Sequence, residues 1–530
     1  MFRFGLSNLR RLANVPPIEL RPITILVGRN SSGKSTFLRA LPLLRQSITT
    51  RTSSPILWYG DWVDFGDFER AVFENITSGS ISFEFGVDEI VADEFFEYSD
   101  DLSWSHVPRH RFNGVEVKVE ISKHGGGTRI SSLTLKEASN AVEYEVLVSE
   151  GGKVTNIRVN GADVTARLGD WELTVSSGSI LPTVMATPKA GHSRRPALYR
   201  SQNRIAPANE AVVELVTPRL DKRITNLSRS NLISQLMRVE VFNKDTLTSL
   251  LTSTKNRSWQ KLIRDISGED RSGLFEKIRE NFLLNLFPSM LGGASKAIQE
   301  IISSTLYIGP ARANSDRYYR YQDLAVSEID PAGKNFPMFL NSLRPAQMKE
   351  LSDWVKGLFG YGISVGRVAG HVSINLIYES GSVNIVDTGY GISQILPVLG
   401  QIWWANNRPG APSRQDGFRR TPIIAIEQPE LHLHPAHQAL LADAFVGSLK
   451  KPSGLSRRGS GIQFLIETHS EALINRLGAL IAEKEISADD VQILIFDAAD
   501  DRDRRTKVST SNFDDDGQLV NWPYGFFVPS

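Results

Sequence analysis

The feature that most constrains this chain is the octapeptide Gly28-Arg29-Asn30-Ser31-Ser32-Gly33-Lys34-Ser35. It follows a short apolar run containing Ile23, Ile25 and Val27, and it leads into Phe37-Leu38-Arg39-Ala40-Leu41, which reads as helix. A strand, a glycine-rich loop and a helix in that order form the setting in which such a loop cradles phosphate. The two glycines let the backbone turn tightly enough to aim N–H groups at phosphate oxygens, and the start of the helix adds its positive end. The candidate nucleotide-binding residues are Gly28, Asn30, Ser31, Ser32, Gly33, Lys34, Ser35 and Thr36. In this reading the nucleotide is ATP. Lys34 reaches its β- and γ-phosphates, and the Ser35 hydroxyl holds Mg²⁺.

Three later segments add to this site. Pro422-Ile423-Ile424-Ala425-Ile426-Glu427-Gln428-Pro429-Glu430 is an apolar strand delivering a carboxylate at its end, where open α/β sheets bind ligands. Glu427 is the candidate second magnesium residue, acting through water. Asp387-Thr388-Gly389-Tyr390-Gly391-Ile392-Ser393-Gln394 enters an apolar helix, and Gly391, Ser393 and Gln394 are candidates to cap a γ-phosphate at its start. Phe464-Leu465-Ile466-Glu467-Thr468-His469-Ser470 is a strand ending in a histidine, placed where a γ-phosphate sensor would lie. His432 and His434 stand two apart, but no cysteine or third ligand accompanies them, so a turn-and-packing role is favoured over zinc.

Length and composition limit the alternatives. A chain of 530 residues exceeds one simple core and implies two or three lobes. The net charge of +1 announces neither nucleic acid nor membrane, although a local basic patch is compatible with it. With no cysteine, disulfides, thiolate zinc sites and a cysteine nucleophile are excluded, and a reducing cytoplasm is the simplest location. The opening MFRFGLSNLRRL lacks the apolar run of a signal peptide, and no stretch approaches the ~20 continuous apolar residues of a membrane span.

The chain reads as three segments. Residues 1–189 hold the phosphate loop and then a β texture from about Ser80 to Thr165, where SISFEF, VEVKVEI and YEVLVS alternate apolar and polar residues. Residues 190–304 hold an arginine-bearing linker (His192, Arg194, Arg195, Arg200, Arg204) and then helical patterns such as LISQLMRVEVF and LFEKIRENFLLNLF. Residues 305–530 return to α/β texture, with IIAIE, IQFLIE and VQILIFD each reading as a buried parallel strand.

Phosphate loop, Gly-x-Ser-Gln helix, strand with acidic end and strand with histidine, in that order, resemble the ABC-type ATPases of the SMC, RecF and OLD class. The resemblance lies in residues 23–40, 387–398, 422–438 and 462–472. It implies an α/β head with a mixed sheet, a β-rich arm and a helical insertion. It also implies a head-to-head dimer or larger ring, in which Ser393 of one copy closes over ATP held by Lys34 of another. The opening FRFGLSNLRRL is similar to the family's first strand, with Asn8 or Arg10 near the adenine, and Gln46 or a later glutamine is a candidate for the Q-loop.

Tyr307-Ile308-Gly309-Pro310-Ala311-Arg312, the EQPELHLHP run and the ending from Asp516 to Phe527 resemble a narrower bacterial subfamily. It includes ATPases of anti-phage systems such as Septu, PARIS and some retrons, which work beside a separate toxic or nuclease effector. One departure bears on chemistry. The family places a general-base glutamate directly after the magnesium acid, and here that place holds Gln428, whose amide cannot accept a proton. Either hydrolysis is slow or a Glu→Gln change has been made to trap ATP.

The catalytic candidates are thus Glu427, Gln428 and His469. The carboxylates after His469 (Asp497, Asp500, Asp501, Asp503; Asp514 to Asp516) read as solvated turns, too few residues for a Toprim nuclease. Two alternatives stand beside the defence reading. One is a RecF- or SMC-like repair ATPase gripping DNA through Arg194, Arg195, Arg200 and Arg204, although a solvated loop is the favoured reading of those arginines. The other is a scaffold that binds ATP without turnover.

Overall fold

The computed structural model describes the chain except residues 74–78, 93–95, 99–103, 107–110, 177, 190–205, 221–224, 226–256, 268–272, 325, 408–420, 450–460, 499–504 and 524–530. His192, the four arginines from Arg194 to Arg204, the LISQLMRVEVF stretch expected to be helical, Asp500, Asp501, Asp503 and the Tyr524–Phe527 ending lie outside the described residues. The chain forms two compact units. One comprises Met1–Phe4, Arg51–Ile56 and Thr77–Gln299, and the other Gly5–Thr50, Leu57–Ile76 and Glu300–Ser530.

The second unit is α/β, and its centre is a seven-stranded sheet. We label its strands β1 (Ile23–Gly28), β2 (Leu306–Ile308), β3 (Ile423–Glu427), β4 (Gln463–Glu467), β5 (Val491–Ala498), β6 (Thr506–Phe513) and β7 (Leu519–Val520). Their order is β2-β3-β4-β1-β5-β6-β7. The first five run parallel, as the continuous apolar runs predict, because strands covered on both faces carry no polar alternation. β6 and β7 add antiparallel, so the sheet is mixed.

The register places Glu427 beside Glu467, and Glu467 beside Leu26 of β1. Both carboxylates and the phosphate loop thus leave the sheet at one level, at the carboxyl ends of the strands. Four helices complete the site region: α1 (Lys34–Thr49), α2 (Tyr390–Asn407), α3 (Pro435–Leu449) and α4 (Glu471–Ala482). The buried faces of α2, α3 and α4 share one core with the sheet, in which the rings of Phe445 and Phe464 lie 5.0 Å apart, and the Phe37 ring of α1 lies 5.8 Å from that of Phe496 on β5.

In the first unit, strands Ser80–Val91, Arg111–His124, Gly127–Glu137, Val142–Val148, Val154–Val159 and Ala162–Asp163 pair antiparallel in succession. Val115, Val117, Val119 and Ile121 point inward between more open neighbours, which is the alternation of a sheet covered on one face. The helix Leu274–Ser303 supplies cover. The Tyr144 hydroxyl donates to the Leu283 carbonyl at 2.9 Å, and the Tyr144 and Phe287 rings lie 5.0 Å apart. The β texture before residue 190 and the helical pattern near residue 280 therefore belong to one unit rather than to the two segments drawn from composition. No helix among the described residues is long and apolar enough to cross a membrane.

Candidate nucleotide site

β1 ends in Gly28 at φ 151°, and Gly33 at φ 97° caps the start of α1, so both glycines hold conformations costly for other residues. Each is also hemmed in. A Cβ on Gly28 would run into the Phe496 carbonyl, and one on Gly33 would lie 2.6 Å from Leu12 Cδ2. Between them the loop brings Asn30, Ser31, Ser32, Lys34, Ser35 and Thr36 to a cavity of about 430 Å³, which Arg10, Arg11, Gln428 and Glu467 also line. From behind, Thr506 on β6 donates to the Ser32 carbonyl at 2.8 Å.

Lys34 is 3% exposed and donates to the carbonyls of Gly28 at 2.8 Å and Arg29 at 2.9 Å. Burial holds its ammonium below the ordinary lysine range, against the attraction of Glu467. The Ser35 hydroxyl donates to Glu467 Oε1 at 2.9 Å.

Glu427 is engaged elsewhere. Arg39 grips it with two hydrogen bonds, Nε to Oε1 at 2.6 Å and Nη2 to Oε2 at 2.7 Å, and the Tyr307 hydroxyl donates to Oε1 at 2.7 Å. Among the described residues the Ser35 hydroxyl bonds to Glu467 and not directly to Glu427, which was expected to act through water. Ser35 meets the acid of the neighbouring strand, because β4 lies between β3 and the phosphate-loop strand. The hydrogen bond to Glu427 raises Arg39 above its ordinary value, and burial raises the Tyr307 phenol likewise.

Gln428 leaves β3 in a left-handed conformation, φ 43°, its amide donating to the Glu467 carbonyl at 2.8 Å, and it lines the cavity. Beneath it is Arg312, buried, with Nη2 donating to the Glu427 carbonyl at 2.9 Å. Burial pushes this guanidinium down to about 10, with Glu430 and Glu427 opposing the shift. Glu430 accepts from the His469 amide at 2.7 Å, and burial pushes its carboxyl up against that bond. The His469 ring is open to solvent; its partial burial and then the Lys34 charge hold it below the ordinary histidine value.

Gly391, Ser393 and Gln394 open α2 and do not line this cavity. Ser393 is buried, and its hydroxyl donates to the Tyr390 carbonyl at 2.7 Å, while Gln394 donates to the Ala313 carbonyl at 3.3 Å. Gly391 packs on the His432 carbonyl, where any Cβ would collide. The open residues at this helix start are Gly389 and Tyr390.

Gln46 is no part of the site. It is buried in α1, and its amide donates to the carbonyls of Leu57 and Val63 and accepts from the Val63 amide, pinning the loop after α1. Arg10 does line the cavity, stacked over Phe65, and Asn8 does not. His432 meets Tyr390 edge-on, and His434 Nδ1 accepts from the Ala436 amide. Asp514 accepts from the amides of Asp516 and Gln518 in the turn between β6 and β7.

Sequence reasoning missed Arg39, Tyr307, Arg312 and Glu467 as site residues. Two signals were present. Arg39 stands one helical turn beyond Ser35, and both β3 and β4 are apolar strands ending in glutamate.

Residues 23–135 match the protein family described as "AAA domain, putative AbiEii toxin, Type IV TA system", and residues 334–474 match the one described as "AAA ATPase domain". The first match contains the phosphate loop, and the second contains α2, the acidic strand and His469. Together with the cavity they support a nucleotide-binding P-loop ATPase. No curated protein matches the chain.

Among solved structures, the Smc head domain of Pyrococcus furiosus, with an extended coiled coil and bound to the C-terminal domain of ScpA, is 11% identical. Each chain is covered to 96%, at a TM-score of 0.32. The SMC head domain of Thermotoga maritima is 8% identical, with 96% of this chain and 97% of that one covered, at the same score.

Proposed function

We infer that the chain is an ATPase component of a bacterial anti-phage defence system. It binds ATP with Mg²⁺ at the phosphate loop and hydrolyses it slowly. In its ATP-bound state it closes head to head with a second copy, or into a larger ring, and regulates a separate toxic or nuclease effector. The observation that carries the slow chemistry is Gln428, which lines the cavity in the place after the acid of β3. The toxin description of the family matched over residues 23–135 supports the defence setting.

The residues present fit the ligand. Among the described residues, buried Ser32 Oγ and Glu467 Oε2 lack partners beside the loop, and the loop glycines leave no room for side chains that would fill the cradle. Bound Mg²⁺ would neutralise phosphate charge and draw electrons from the bond being broken. Lys34 exchanges its two loop carbonyls for phosphate oxygens. Gln428 orients water without taking its proton, since an amide has no basic site for it.

General-base catalysis contributes about 10²–10⁴-fold, and enzymes commonly turn over near ~10 per second, so a head without its base runs at roughly 10⁻¹ to 10⁻³ per second. Gln428→Glu supplies the missing base at nearly equal volume and raises phosphate release at least about tenfold. A phosphate-release assay on both proteins decides. Fast hydrolysis by the unaltered chain, or no gain from the glutamate, places water activation on Glu430, Glu467 or His469 and sinks the role given to Gln428.

In the closed dimer the start of α2 meets the partner's γ-phosphate. Gly389 is exposed, and a Cβ there meets nothing within 4 Å, so a side chain fits without disturbing the unit. Gly389→Glu therefore leaves the ATP affinity of one copy within about twofold and blocks ATP-driven association, because like charges facing each other cost several kcal/mol. Sedimentation velocity with and without ATP tests this, and a variant that still associates on ATP rules out α2 as the closing element.

A further inference from the structure

Glu427 and Glu467 end adjacent parallel strands at one level, yet their carboxylates differ in what they are free to do. The Glu427 carboxylate accepts from Arg39 on both oxygens and from Tyr307 on one. A divalent cation placed there would face a guanidinium that already neutralises the carboxylate, and that repulsion grows in a site sheltered from water. Glu467 is 3% exposed and lines the phosphate-loop cavity. Its Oε1 accepts from Ser35, with Lys34 Nζ at 3.9 Å, and its Oε2 is buried without a partner among the described residues.

A buried carboxylate oxygen with no donor is costly unless a ligand supplies the missing charge. It also stands one strand nearer to β1 than Glu427, about 4.8 Å at ordinary sheet spacing. Magnesium takes oxygen ligands, typically one or two side chains completed by phosphate and water. Ser35 Oγ and Glu467 already touch, on the wall that the β- and γ-phosphates would face.

We propose that Glu467, and not Glu427, is the carboxylate that shares the nucleotide's divalent cation with Ser35, while Glu427 is a positioning residue clamped by Arg39 and Tyr307. The inference rests on the nucleotide reading above.

The test measures binding rather than turnover. AMP-PNP is titrated into the full chain by calorimetry in EDTA and in Mg²⁺, and Mn²⁺ binding with AMP-PNP is followed by electron paramagnetic resonance. The unaltered chain gains affinity for AMP-PNP in Mg²⁺. Glu467→Gln keeps the length of the side chain and its bond from Ser35, so its affinity in EDTA is retained. Its Mg²⁺-dependent gain disappears, and Mn²⁺ binding weakens about 10–100-fold, the range seen when metal sites lose supporting groups. Glu427→Gln keeps the gain.

A Glu467→Gln chain that keeps the gain while Glu427→Gln loses it overturns the assignment. So does a Glu467→Gln chain that no longer binds AMP-PNP in EDTA, because the carboxylate would then only hold the loop. Both results leave the nucleotide reading standing. No AMP-PNP binding by the unaltered chain in either buffer overturns that reading and the inference with it.

Discussion

Lys34→Ala lowers ATP affinity by at least about a hundredfold, since two charge-assisted hydrogen bonds of about 1.5–3 kcal/mol each are lost and every 1.4 kcal/mol is tenfold. Lys34 is the lysine of the phosphate loop and lines the cavity proposed to hold the β- and γ-phosphates. The loss is not one of folding. The ammonium is buried beside two carbonyls, and burial pulls its pKa down, so the fold holds this charge at a cost that alanine removes. Circular dichroism of the variant keeps the native spectrum while calorimetric titration shows no saturable ATP binding. Unchanged affinity in the variant would move the site elsewhere.

Arg39→Met destabilises the chain by about 3 kcal/mol, the lower end of the cost of breaking a buried ion pair by removing one partner. Glu427 is 2% exposed, whereas Arg39 is 30% exposed and already partly solvated, which keeps the loss at that end of the range. The carboxylate would be left with the Tyr307 hydroxyl as its one side-chain donor among the described residues. Removing the stranded charge as well should recover much of the loss, so Arg39→Met with Glu427→Gln unfolds nearer to the unaltered chain than Arg39→Met alone. Urea denaturation of the four proteins gives the coupling directly, and groups in contact typically couple by about 0.5–3 kcal/mol. Additive losses would mean that the clamp on Glu427 contributes nothing to stability.

The phosphate loop was legible because its chemistry is contiguous: glycines, lysine and serine act within eight residues, and strand and helix flank them in the chain. The parallel strands were legible because doubly covered strands are apolar throughout. The contacts that distribute the acids were not. Ser35 meets Glu467 across 432 positions, and Arg39 meets Glu427 across 388. Which carboxylate faces the loop depends on strand order, which no local pattern encodes.

Gln46 misled for the opposite reason. A glutamine near a phosphate loop suggested chemistry, and burial in α1 turned it into a clasp for the following loop. The boundary near residue 190 followed a change of texture. Texture does not reveal that Tyr144 of a β segment shares its core with Phe287 of a helix.

The order of strands in the central sheet also bears on how the protein is made. β1 leaves the ribosome long before its neighbours on both sides, Gln463–Glu467 and Val491–Ala498, are synthesised. Elongation proceeds at about 5–20 residues per second. The phosphate loop therefore waits some tens of seconds without a sheet to stand on, and a chain stopped before residue 463 carries the loop with neither flanking strand. Translation products abandoned there would then lack the Glu467 wall of the cavity and could not compete with finished copies for its ligand.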